Sequence, residues 1–128
     1  KTLGIEPKAR LVSSTTACAE PLEVVSGCVT AAQKLLQEQR RSTHSIDLFE
    51  VHEAFAATCV KARHTLEIEP DKLNVNGGVI ALGHPMGATG AIMTGTLIDE
   101  LHRQQLTSGV VAASGAAGSG SALLLERC

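Results

Sequence analysis

The sequence predicts one layered α/β domain built on a mixed β-sheet. Three observations predict it. Short β-branched or apolar runs alternate with segments whose apolar residues recur at helical spacing. The last two strand segments are separated only by a glycine-bearing turn, which pairs them antiparallel. At 128 residues, 44% hydrophobic and 19% charged, the chain has the size and composition of a single globular domain with its own core.

Residues 10–18 (RLVSSTTAC) read as a strand on their β-branched content. Pro21 suits a first helical position. Leu22, Val25, Val29, Ala32 and Leu36 then predict a helix running to about Gln39, which the polar run Gln37 to Thr43 ends. Ile46 to Val51 reads as a short strand. Glu53 to about His64 reads as a helix with Phe55, Cys59 and Ala62 on one side. Pro70-Asp71 makes a turn, and Asn74 to Gly78 forms a polar loop. A further helix begins near Met86 and carries Ile92, Leu97, Ile98 and Leu101 inward. Thr107 to Gly109 turns into a strand at Val110 to Ala113; Gly115 to Gly120 turns again, and Ala122 to Leu125 return as the last strand.

Several function classes are excluded by composition. A net charge of -2 leaves no basic groove for nucleic acid, and two Phe with no Trp or Tyr leave no stacking platform. No apolar run approaches the roughly 20 residues that span a bilayer. Lys1 to Gly4 do not open a signal peptide, and the missing initiator Met suggests a piece of a longer chain. Cys18, Cys28, Cys59 and Cys128 are scattered without a C-x-x-C pair, which reads as free thiols in a reducing, cytoplasmic setting. The histidines lack zinc-ligand spacing, so no metal is expected.

Three segments stand apart from plain scaffold: VHEAFA at 51–56, NVNGGVIALGHPMGATG at 74–90 and ASGAAGSG at 113–120. All fall where strands end or helices begin, the place α/β folds put their sites. In the second, Gly77, Gly78, Gly83, Gly87 and Gly90 surround His84 and Pro85. That arrangement holds an imidazole at a helix mouth, with a pKa of ~6.5 suited to proton transfer at neutral pH. It also suits a glycine-rich turn whose histidine merely bonds the backbone. The glycine spacing is not G-x-G-x-x-G, so no dinucleotide site is indicated.

Residues 74–90 resemble the thiolase motif N-V-N-G-G-x-I-A-x-G-H-P-x-G-x-x-G, and Asp47 to Ala56 resemble D-L-F-E-V-[NH]-E-A-F-A. With Ala9 to Ser13 and Pro21, the resemblance spans essentially residues 1–128 and identifies the C-terminal half of a thiolase. It implies a mixed five-stranded sheet with helices on both faces. Thiolases make or break a carbon–carbon bond beside a thioester, using an acylated cysteine, the G-H-P histidine and a later acid/base cysteine. By this resemblance His84 activates the nucleophile and helps hold the thioester oxygen. His52, where many members carry Asn, joins the oxyanion site; its other reading is a helix cap. Ala54 and Phe55 line the acyl or pantetheine path, with core packing the alternative for Phe55. Gly115 and Ala116 border the substrate in the third motif.

One position departs from the pattern. Ser114 stands where the family has its acid/base cysteine, and a hydroxyl is a far weaker acid than a thiol of pKa ~8.5. The nucleophile and the CoA-holding loops belong to an N-terminal half outside these residues. The resemblance therefore implies a CoA-dependent acyltransferase half (thiolysis or Claisen condensation, in fatty acid and lipid metabolism). Its substrate is a coenzyme A thioester, with no covalently bound cofactor; its partners are acyl-CoA, the N-terminal thiolase half and further copies of itself. The helix carrying Gly87, Gly90 and Gly95 is the expected face of association. The alternative is a noncatalytic thiolase-like module that binds acyl-CoA or lipid.

Overall fold

The computed structural model describes residues 3–128. In chain order it contains β1 (Ala9–Cys18), α1 (Gly27–Glu38), β2 (Leu48–Val51), α2 (Ala56–Leu66), α3 (Val79–Leu82), α4 (Thr89–Arg103), β3 (Ser108–Ser114) and β4 (Ser119–Arg127). The strands form one sheet in the order β1-β4-β3-β2. β1 with β4 and β4 with β3 are antiparallel, and β3 with β2 is parallel. The sheet is therefore mixed, as the sequence predicts.

Side chains alternate between the two faces of the sheet, as the pleat requires. Phe49, Val51, Val110, Ala112, Ala122 and Leu124 join the core under α1 and α2. Leu48, Val111 and Leu125 face the other way, against Met93, Leu97 and Leu101 of α4. Those α4 residues recur every four positions, one face of a helix; each fully buried Leu contributes about 1.5–3 kcal/mol. Helices thus cover both faces. Leu97 fits because Gly109 has no side chain: a Cβ there would lie 2.7 Å from a Leu97 methyl.

Several expectations need correction. The sheet has four strands among the described residues, not five. At the fifth position only a single parallel bridge forms, Phe49 with Leu73. Asn74 ends the pairing: its backbone turns left-handed at φ 47°, and its side chain bonds the strand in place of a backbone ladder. The helix expected from Pro21 is a 3-10 turn at Pro21–Glu23, and α1 starts only at Gly27. There the chain crosses β4 backbone to backbone. A Cβ on Gly120 would overlap the Gly27 carbonyl, and one on Gly27 would overlap the Ser119 carbonyl. In α2 the buried face is Thr58, Ala62 and Leu66, while Phe55 precedes the helix in extended conformation and is 62% exposed. A lone imidazole cap at Glu53 is ruled out by the same start at Ala56. α4 likewise begins at Thr89, after Pro85 and Gly87, and turns Met93 rather than Ile92 inward.

Candidate active site

β2 ends at Val51, and its alignment continues for one residue. The His52 N–H donates to the Ala112 carbonyl at 2.9 Å, beside β3. This fixes His52 at the C-terminal edge of the sheet. The second imidazole arrives on the loop after α3, where Gly83 takes φ 89°, a conformation that favours glycine. The result brings the two motifs together. The rings of His52 and His84 lie 4.6 Å apart, centroid to centroid, tilted by 46°.

His52, His84, Ala54, Phe55, Ser114, Gly115 and Ala116 border one open cavity of about 410 Å³. Val24, Val25 and Met86 complete a largely apolar wall. Phe55 is therefore placed on the cavity, not in the core.

His52 is only 5% exposed, and neither ring nitrogen has a hydrogen-bond partner. Buried polar groups are normally satisfied, so an orphaned imidazole facing a cavity has both nitrogens open to a ligand. Burial, and then the neighbouring His84, lower its pKa. The Ser114 carbonyl, close without completing a hydrogen bond, and the Glu53 carboxylate oppose that shift less strongly. A neutral ring keeps one N–H to donate and one lone pair to accept.

His84 is oriented by a residue the sequence did not single out. Its Nδ1 lies 2.7 Å from the Thr89 hydroxyl, which donates to the Pro85 carbonyl at 3.2 Å. Nδ1 and the hydroxyl can share a proton in either direction, and the contact fixes the orientation of the ring. Thr89 is buried at the first residue of α4. A hydroxyl five residues beyond the histidine, at the helix start, was the available signal.

Ser114 is placed on the cavity wall, but its hydroxyl is engaged elsewhere. It accepts the Cys28 N–H at 3.1 Å and donates to the Val25 carbonyl at 3.1 Å. Cys28 is in the first turn of α1, so Ser114 caps that helix from across the sheet, supplying a partner for one of its free N–H groups. The Gly115 N–H is also taken, by the Ser119 carbonyl at 2.7 Å.

The cysteines do not form a second centre. Cys28 is buried, Cys59 half-buried, and Cys18 and Cys128 exposed, all as free thiols. Burial, with Glu53 adding to it, pushes the Cys59 thiol up to about 11, far from a nucleophile at neutral pH. Among the described residues no group of three or more His, Cys, Asp or Glu gathers in metal-holding geometry.

This mixed-sheet α/β domain has close counterparts. The family model for the thiolase C-terminal domain matches residues 5–127. An acetyl-CoA acetyltransferase of Rhizobium meliloti is 40% identical over 97% of this chain and 32% of its own length. A 3-ketoacyl-CoA thiolase of Klebsiella pneumoniae is 38% identical over 99% of this chain and 34% of its own. The crystal structure of the Bacillus anthracis acetyl-CoA acetyltransferase superposes with a TM-score of 0.92 at 38% identity, covering 98% of this chain and 32% of that one. The chain belongs to the thiolase family. It spans about a third of the length of the curated relatives it matches. No helix among the described residues is long and apolar enough to cross a membrane.

Proposed function

We propose that this chain is the C-terminal half of a CoA-dependent acyltransferase of the thiolase type. It acts on acyl-CoA by thiolysis or Claisen condensation once joined to an N-terminal half that supplies the nucleophilic thiol and the CoA-holding loops. In this reading the Nε2 of His84 takes the thiol proton, and the Thr89 hydroxyl holds the ring in that orientation. The neutral His52 donates its N–H to the thioester oxygen as negative charge develops there. A preorganised donor in a water-poor site is commonly worth ~3 kcal/mol of barrier. Ala54, Phe55 and Ala116 border the acyl or pantetheine arm, coenzyme A thioester being substrate and not resident cofactor. The free thiols suit a cytoplasmic setting.

The observation that carries the reading is the pair itself: a buried imidazole with both nitrogens unpartnered, 4.6 Å from a second imidazole in one cavity. Its test is intact-mass analysis of the full-length protein after exposure to acetyl-CoA. An acyl adduct that His84→Ala abolishes is expected; no adduct with short or long acyl-CoA overturns the proposal. One observation favours a second reading, a noncatalytic acyl-CoA or lipid-binding module. The Ser114 proton is committed to Val25, so the acid/base step has no evident donor. Saturable acyl-CoA binding without acylation would establish that module.

A further inference from the structure

His52 is bracketed by two contacts that run in opposite directions between the motifs. On one side, Asn74 reaches back to the strand. Its Oδ1 accepts the Val51 N–H at 2.7 Å and its Nδ2 donates to the Val51 carbonyl at 2.9 Å. On the other side, Glu53 reaches forward, and its Oε2 accepts the Ile80 N–H at 2.9 Å. Asn74 Nδ2 also lies 3.4 Å from Glu53 Oε1, closing the two contacts into one clasp. Gly78 makes room for it: a Cβ there would overlap the Glu53 carboxyl group.

Between its ties to α4, Asn76 to Glu100 at 3.0 Å and His84 to Thr89 at 2.7 Å, the segment so gripped packs little of itself into the core. α3 buries none of its residues, and Ile80, Leu82 and Met86 are all exposed. Core packing cannot fix the path of a loop whose apolar side chains face outward. Yet this loop delivers His84 to within contact of His52. We infer that Glu53 is a positioning residue: by bonding Ile80 from the position next to His52, it sets the separation of the two imidazoles. The catalytic meaning of that separation rests on the acyl-transfer proposal, where a misplacement of about 1 Å costs about 10²-fold in rate. The placement itself does not depend on any reaction.

Histidine-ring NMR titration of the 128-residue chain tests it, with His44, His64 and His102 as internal references. The charged and polar groups facing His52 are His84, the Glu53 carboxylate and the Ser114 carbonyl. Removing the negative charge of Glu53 can only push the His52 titration down. Releasing the loop removes burial and the neighbouring His84 together, which pushes it up. Three variants separate these effects. Glu53→Gln loses the charge but keeps an acceptor for Ile80, so His52 stays at or below its wild-type midpoint. Glu53→Ala loses both, and the midpoint rises by about half a pH unit or more. Gly78→Ala keeps the charge but displaces the carboxylate, and the midpoint rises again. Equal downward shifts in both Glu53 variants, or no rise in Gly78→Ala, overturn the inference. Should Glu53→Ala fail to fold, Gly78→Ala decides alone, since its overlap is with the movable end of a side chain. Because no acyl-CoA enters the measurement, failure here is distinguishable from failure of the acyl-transfer proposal.

Discussion

Replacing Ser114 by cysteine is expected to lower stability and raise activity at once. The structural side follows from two bonds. The Ser114 hydroxyl accepts the Cys28 N–H and donates to the Val25 carbonyl, each at 3.1 Å. Loss of a helix cap costs about 1 kcal/mol, and loss of a part-buried hydrogen bond costs about another 1 kcal/mol. Ser114→Ala should therefore cost about 2 kcal/mol. A thiol is a weak donor and a weak acceptor and retains part of both contacts, so Ser114→Cys should cost about 1 kcal/mol. In urea, with a slope of about 1.5 kcal/mol/M, the midpoints should fall by about 1.3 M and about 0.7 M. On the chemical side, a positioned acid/base contributes about 10²-fold or more. Thiolysis by the full-length protein, followed as loss of ketoacyl-CoA, should rise by that factor in Ser114→Cys. A midpoint unmoved by Ser114→Ala would remove the capping argument. Unchanged thiolysis in Ser114→Cys would show that the missing thiol is not what limits the reaction.

Two further predictions concern the scaffold. Glu50 is buried, and burial, with Glu53 and then Glu100 adding to it, raises its carboxyl to about 7. A carboxyl that binds its proton more tightly folded than unfolded gives its full stabilisation below about pH 4.5 and loses it as pH rises through about 7. Holding a carboxyl that far above its ordinary range corresponds to about 3 kcal/mol. Glu50→Gln should therefore gain on wild type by that order between about pH 4.5 and about pH 8 in chemical denaturation, and parallel stability curves would contradict it. Self-association should appear as a light-scattering mass above 13.3 kDa. On α4, Gly90 and Gly95 have open space where a Cβ would stand, so Gly95→Glu should restore the monomer; a monodisperse wild-type monomer would refute the expected face.

The sequence made the strands and the two histidine motifs legible for a common reason. Both are local patterns, a continuous apolar run at Val110 to Ala112, buried throughout, and a glycine-flanked imidazole at 83–85. The late start of α1 was hidden because Pro21 and the spacing of Leu22 and Val25 imitate a helix. What interrupts it is a contact with β4 far along the chain, Gly27 against Gly120. The fifth strand came only from the family resemblance; the patterning of the residues themselves reads as four, and at the edge of β2 Asn74 satisfies Val51 through its side chain. Within the site, His52, His84 and the Ser114 departure were readable as residue types at motif positions. The roles of Thr89, Glu53 and Asn74 were not, since each depends on a partner outside its own motif or on a hydroxyl direction. Ser114 shows the limit best. Its residue type marks a departure from the family motif, whereas its engagement with Cys28 is visible only in three dimensions.

The bare crossing of Gly27 over Gly120 leaves no side-chain cushion between the first turn of α1 and the sheet. Main chain seated on main chain has no intermediate depth to settle into, so that turn cannot slide to suit a larger guest. Val24 and Val25, which form one wall of the cavity, lie in the turn that leads directly into this crossing. Under the acyl-transfer proposal, smaller residues in place of those two valines would widen the cavity on this side and admit a bulkier acyl group.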